Sequence, residues 1–215
     1  MSDLIVGSSH VRRLHDYVEA RQAFKNFDLQ NINVEFYGIG GGRVMNSVHT
    51  SQINSKIQSS QPDHVVLHIG GNDFDVVQVN EQYCEELVLK LVLLAETFIS
   101  RHRLQSVTIC ELLPRQKTRH VTVDKYNYFK RIANKFMKRE LVSKSKINFW
   151  KIKGVKESLE NLFGDGVHFN DDGNLSYYRS IRGALINLSN NFLFSVIMVL
   201  GSVPVMALYI LLYHA

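Results

Sequence analysis

His64-Val65-Val66-Leu67-His68-Ile69-Gly70-Gly71-Asn72-Asp73 is the stretch whose reading decides the fold. Val65, Val66 and Leu67 form a continuous apolar run rather than an alternating one, as a strand covered on both faces requires. The run ends in Gly-Gly-Asn-Asp, which by itself is ordinary turn chemistry. Working outward, strand patterns fall at Leu4–Val6, Asn33–Tyr37, His64–Ile69, Ser106–Cys110 and Ile147–Trp150. Helical patterns fill the gaps at Val11–Lys25, Ser47–Gln58, Glu81–His102, Val123–Ser143 and Asp172–Leu188. Such alternation predicts an α/β fold, a parallel sheet flanked by helices. The stretch before the apolar carboxyl-terminal run contains no internal repeat and no low-complexity linker.

A chain of 215 residues fits one α/β domain with a sizeable core and an appendage. Its two cysteines, Cys84 and Cys110, fall in a helix-like stretch and a buried-strand pattern. That argues against a disulfide framework and for a reducing compartment. Asp3-Leu4-Ile5-Val6 already reads as structure, with no basic segment before it, so no secretory signal is expected.

The carboxyl-terminal stretch differs in kind. Phe192 to Tyr213 contains no charged residue and is mostly Leu, Ile, Val, Met, Phe and Ala. As a helix it would rise about 33 Å, against roughly 30 Å of bilayer hydrocarbon. Gly201 and Pro204 would weaken a soluble helix but are tolerated in membrane spans. Arg179 and Arg182 upstream favour a cytoplasmic amino-terminal side. The expectation is a folded domain over residues 1–190 and a transmembrane tail over 191–215 that holds it on the cytoplasmic face of an intracellular membrane. The competing readings are a buried terminal helix or an adventitious extension of the reading frame, with a cytoplasmic location if the tail does not insert.

Charge is uneven. From Arg101 to Lys156 bases dominate, with only Glu111, Asp124 and Glu140 against them. Lys125, Lys130, Arg131, Lys135, Lys138 and Arg139 recur at spacings that suit the solvated outer face of an amphipathic helix. The same asymmetry also fits a surface that meets nucleic acid or anionic lipid.

In a parallel sheet, ligands bind beyond the carboxyl ends of the strands. Four segments sit there: Gly7-Ser8-Ser9-His10, Gly38-Ile39-Gly40-Gly41-Gly42, Gly70-Gly71-Asn72-Asp73 and Asp165-Gly166-Val167-His168. Together they hold the groups that acyl transfer needs. A serine hydroxyl is a poor nucleophile near neutral pH and needs a base, which His168 can be for Ser9. Asp165, three residues earlier, is within one turn of that imidazole and can fix its tautomer. Gly41, the Ser9 backbone amide and the Asn72 side chain can donate hydrogen bonds to a developing oxyanion. Asn170-Asp171-Asp172-Gly173 reads as the cap of the last helix, with no catalytic part. There is no G-x-S-x-G elbow and no P-loop lysine. The nine histidines form no H-E-x-x-H or paired Cys/His set, so a metal site is not expected.

These blocks resemble those of the SGNH (GDSL-type) hydrolases. Gly7-Ser8-Ser9-His10 is similar to the first block, with Ser9 at the nucleophile position. Gly41 matches the glycine of the second, with Gly40 and Gly42 leaving the register open by one. Gly70-Gly71-Asn72-Asp73 resembles the third, and Asp165-Gly166-Val167-His168 the D-x-x-H of the fifth. Leu112-Leu113-Pro114-Arg115 also resembles members related to the platelet-activating-factor acetylhydrolase catalytic subunits, and there is a looser likeness to invertebrate SGNH domains. The likeness spans about residues 3–188. It implies a flavodoxin-like three-layer fold with strand order 2-1-3-4-5. It also implies cofactor-free hydrolysis of small acyl esters or thioesters. One departure stands out: Ser8 occupies a position where the family usually has aspartate. The competing function is a catalytically weak binding module that uses its basic stretch for nucleic acid or anionic membrane.

Overall fold

The central strand is His64–His68 (β3), buried at every residue, as its unbroken apolar run demands. The computed structural model of the chain describes residues 1–158 and 160–201, with side chains described at neither 160 nor 191–201. Around β3 the strands Ser2–Gly7 (β1), Asn33–Gly38 (β2), Ser106–Cys110 (β4) and Ile147–Trp150 (β5) form one sheet in the order 2-1-3-4-5. All four pairings are parallel, with Ile5 opposite Phe36 on one side and Val66 on the other. The fold class expected from the alternation is therefore the one observed.

Alternate side chains of each strand face opposite layers. Leu4, Val6, Val65, Leu67, Val107 and Ile109 pack beneath Ser47–Ser60 (α2), Glu81–His102 (α3) and Val123–Glu140 (α4). Ile5, Val66 and Cys110 face Ser9–Glu19 (α1) and Asp171–Gly201 (α5). With cores on both faces, a strand gains nothing from polar alternation. Both cysteines are free and buried, with no disulfide between them.

Helix starts follow local capping chemistry. Asn46 accepts from the Val48 and His49 amides, Asn80 from Tyr83 and Thr122 from Lys125. Asn170 Oδ1 accepts from Gly173 N at 3.0 Å, the cap expected for the last helix.

Glu81–His102 ends where expected, but the other helix ends depart from the expectations. The first helix was expected to reach Lys25 but stops at Glu19, and Gln22–Asp28 forms a 3-10 segment with Asn26, Phe27 and Asp28 at positive φ. Tertiary packing overrides helix propensity here. Phe27 is fully buried, stacked on Phe36 and Tyr178 at 5.7 and 5.0 Å, and the Asn26 side chain bonds the Leu29, Ile32 and Val34 backbone. The fourth helix ends at Glu140, short of Ser143, where the chain turns toward β5. The last runs past Leu188 to Gly201, with no glycine or proline between to stop it after Gly183.

Lys130 was expected on the outer face of its helix. It is instead buried, its ammonium 2.6 Å from Glu157. The expected tail, Phe192–Tyr213, lies largely outside the described residues. Among the described residues no helix is long and apolar enough to cross a membrane.

Candidate active site

Ser9 opens α1 directly beyond β1, with Ser8 as the extended residue before it. Its Oγ lies 3.0 Å from His168 Nε2, and His168 Nδ1 lies 2.8 Å from Asp165 Oδ2. Burial opposes the Asp165 charge. The backbone and side chain of His168 and the Val167 amide donate to it, and together they hold the carboxyl well below its usual range. An ionised carboxylate can only accept, so Nδ1 carries the imidazole proton and Nε2 is left to accept from the Ser9 hydroxyl. The three residues expected to form a triad are thus brought together in hydrogen-bonding order.

The loop that holds Asp165 and His168 is fastened from the β4 side. Gly166, at φ +81°, accepts at its carbonyl from the Gln116 and Lys117 amides at 2.8 and 3.0 Å. The residues from Leu112 to Arg115 are held in turn by two buried carboxamides of α4. Asn134 bonds both the N–H and C=O of Leu112, and Asn127 does the same for Arg115. Seven residues apart, the two asparagines share one helix face. Each supplies the donor and acceptor that a neighbouring strand would otherwise supply.

Among Gly40, Gly41 and Gly42 of the second block, the structure removes one alternative. Gly42 is buried, and its N–H is taken by Ile39 O at 3.0 Å. Gly40 and Gly41 line the cleft, and Gly41 sits at φ +67°, where glycine is at ease. The amides of Ser9 and Gly41 have no protein acceptor among the described residues. The Asn72 amide gives one hydrogen to Gly42 O at 3.0 Å, leaving the second unassigned, while its Oδ1 accepts from the Arg115 guanidinium. Arg115 therefore fixes which way the Asn72 amide faces, and it is itself paired with Asp75 at 3.2 Å, both buried.

Sequence reasoning quoted Arg115 and Asp73 within larger blocks but gave neither a role. Asp73 is fully buried and accepts from the Val44 and Met45 amides, each at 3.0 Å, which anchors the glycine loop to the Asn72 turn. His10 was also passed over. Its ring packs against His68, His168 and Phe169, at centroid distances of 5.9, 5.6 and 5.1 Å. Burial pushes the His10 pKa well down and takes His68 to about 4, so both rings behind His168 are neutral near pH 7.

Ser8, the departure from the family pattern, is buried, and its side chain caps nothing. The loop is held by backbone bonds instead, Ser8 N to His68 O at 3.1 Å and Ile39 N to Gly7 O at 2.8 Å.

Ser9, Gly41, Asn72, Asp165 and His168 all open on one cleft of about 440 Å³. A larger, shallow groove of about 860 Å³ runs beside α2, but its polar lining is serines, Gln52, Lys56 and Tyr37, with no imidazole or carboxylate to serve as a base. The smaller cleft is where the Ser9 hydroxyl and the His168 imidazole meet. Among the described residues no group of three or more His, Cys, Asp or Glu converges as a metal site.

No curated protein sequence matches the chain. Solved structures do. A GDSL-like lipase from Bacteroides thetaiotaomicron is similar at a TM-score of 0.66 and 17% identity, covering 87% of this chain and 88% of that one. The lipase/acylhydrolase of Enterococcus faecalis gives 0.57 at 17% identity, covering 86% and 97%. A carbohydrate esterase family 3 protein of Talaromyces cellulolyticus gives 0.61 at 15%, covering 89% and 99%. At these identities the likeness establishes the shared fold. The family's sequence model matches residues 6–177, most of the chain and all of the site above, so the chain belongs to the GDSL-like lipase/acylhydrolase family and is an SGNH hydrolase.

Proposed function

We propose that this hydrolase is a serine esterase that cleaves small acyl esters, with Ser9 as nucleophile, His168 as base and then acid, and Asp165 orienting the imidazole. One observation carries the reading: the hydrogen-bonded chain Ser9–His168–Asp165, at 3.0 and 2.8 Å, opening into a cleft. Ser9 Oγ attacks the ester carbon as its proton passes to His168 Nε2. The carbonyl oxygen becomes an oxyanion, which the Ser9 and Gly41 amides and the second Asn72 amide hydrogen stabilise. Collapse breaks the bond to the alcohol, which takes the proton from Nε2 and leaves Ser9 acylated. Water, deprotonated by the same nitrogen, then releases the acid and restores the hydroxyl. Among the described residues Val167 is the one apolar side chain that lines the cleft, which supports a short acyl group over a long chain.

The test is covalent labelling by a fluorophosphonate probe. The wild-type chain should be labelled, Ser9→Ala should not, and Ser8→Ala should keep a measurable fraction. Equal labelling of wild type and Ser9→Ala would overturn the assignment.

For location, we propose that the uncharged run Phe192–Tyr213 anchors the domain on the cytosolic face of an intracellular membrane. Its length as a helix, about 33 Å against roughly 30 Å of hydrocarbon, supports this.

A further inference from the structure

The cleft around Ser9 is lined by five cationic side chains and two carboxylates. Both carboxylates are already engaged. Asp75 pairs with Arg115 and accepts from the Arg119 and His120 amides, and Asp165 holds His168. Arg12, Arg43, Lys117 and Arg119 are left. None of the four makes an ion pair or a side-chain hydrogen bond among the described residues. Elsewhere on the surface some cations are paired, as Lys56 is with Glu35 and Arg131 with Glu157, and others are not; what sets these four apart is that they converge on one cleft.

These four do not belong to one solvated helix face. Arg12 comes from α1, Arg43 from the glycine loop, and Lys117 with Arg119 from the loop after β4. Their backbones are held in place. The Arg12 guanidinium lies over Gly40, within 3.3 Å of where a side chain there would begin. The Lys117 amide is bound to Gly166 O and the Arg119 amide to Asp75. Three separate segments thus present unpaired positive charge to one nucleophile. Such an arrangement is self-repelling when the cleft holds only water, and a bound anion relieves it.

We infer that the substrate is an ester of a small anionic alcohol: a short acyl group on a molecule that carries a phosphate or carboxylate, gripped by Arg12, Arg43, Lys117 and Arg119 while Ser9 attacks the ester. This rests on the esterase reading above and narrows it to a substrate class. Guanidinium groups suit such oxyanions because their paired donors match the planar or tetrahedral oxygens. The cleft volume of about 440 Å³ admits a molecule of that size.

Binding and turnover are measured separately so that the two readings can fail independently. Binding is read by calorimetry on full-length Ser9→Ala with three non-hydrolysable amides: 4-acetamidobenzoate, 4-acetamidophenyl phosphate and neutral 4-acetamidobenzamide. At least one anion should bind about tenfold or more tightly than the neutral amide, with the preference shrinking between about 50 and about 500 mM salt. The better of the two anions tells phosphate from carboxylate. Adding Lys117→Gln and Arg119→Gln, both exposed side chains, should erase most of the preference, whereas Lys117→Arg should retain it. Absence of binding, equal binding of neutral and anionic amides, or a preference unchanged by the substitutions overturns the inference.

Turnover of 4-acetoxybenzoate and 4-acetoxybenzamide by the wild-type chain is the second arm. Hydrolysis of both at equal efficiency sinks the anionic substrate and leaves the esterase standing. Selective anion binding with no hydrolysis of either ester sinks the esterase reading and leaves the anion site.

Discussion

Replacing Asp3 by Asn should stabilise the protein, and by an amount that depends on pH. Asp3 lies on β1 beside His64 of β3, is fully buried, and neither of its carboxylate oxygens has a hydrogen-bond partner among the described residues. Burial raises its pKa from 3.8 to about 7, the Asp63 carboxylate adds to the rise, and the amino terminus opposes it. Between those two values the unfolded chain has lost a proton that the folded chain still holds. The group's contribution to stability is therefore full below 3.8 and lost as pH rises to about 7. At 1.36 kcal/mol per pH unit, the gap of about 3 corresponds to about 4 kcal/mol, an upper bound that local relaxation and entering water would reduce to about 2. Asparagine keeps the shape and cannot ionise. Urea unfolding of both chains at pH 4 and pH 8 should show the variant gaining about 2–4 kcal/mol more at the higher pH. Asp3 sits at the amino end of its strand, opposite the cleft, so turnover of a neutral aryl acetate should not change. An equal difference at the two pH values, or a wild type that is the more stable at pH 8, would refute the reasoning.

Asn72→Ala should lower kcat about 100- to 1,000-fold with little change in substrate binding, read by steady-state kinetics; a change confined to KM would make Asn72 a positioning group. Gly166→Ala forces a side chain onto φ +81° and sets its Cβ 2.8 Å from that of Lys117, so it should destabilise the fold by about 1–3 kcal/mol and lower kcat as the Asp165 loop shifts. Fluorophosphonate labelling should then weaken in proportion. A chain ending at Asn190 should stay in the supernatant with its activity, while the full chain pellets with membranes and resists alkaline extraction.

The order of elements and the candidate set Ser9, Gly41, Asn72, Asp165 and His168, which the fold gathers at one cleft, were legible because their signals are local. A strand buried on both faces must be apolar throughout, a turn after it needs glycine or asparagine, and an Asp three residues before a His meets it within one turn. Helix starts were legible for the same reason, since Asn46, Asn80 and Thr122 cap amides two or three residues on. Helix ends were less so. Nothing between Val11 and Lys25 announces that Phe27 will turn inward onto Tyr178, a contact about 150 residues away in the chain that outweighs helix propensity.

The same separation hid the supports of the site. Lys130 carries the same charge as its exposed neighbours and is buried because Glu157 arrives opposite it. Arg115 has meaning only once Asp75 and Asn72 stand on either side of its guanidinium. By itself the sequence determined the α/β order of the chain and which residues could do chemistry, because those depend on hydrophobic pattern and on spacing within a few residues. The tertiary structure decided which glycine amide is already spent, which face the Asn72 amide presents, and that four cations with no ion pair among the described residues line the cleft at Ser9. Those are properties of segments far apart in the chain, and only folding brings them within reach of one another.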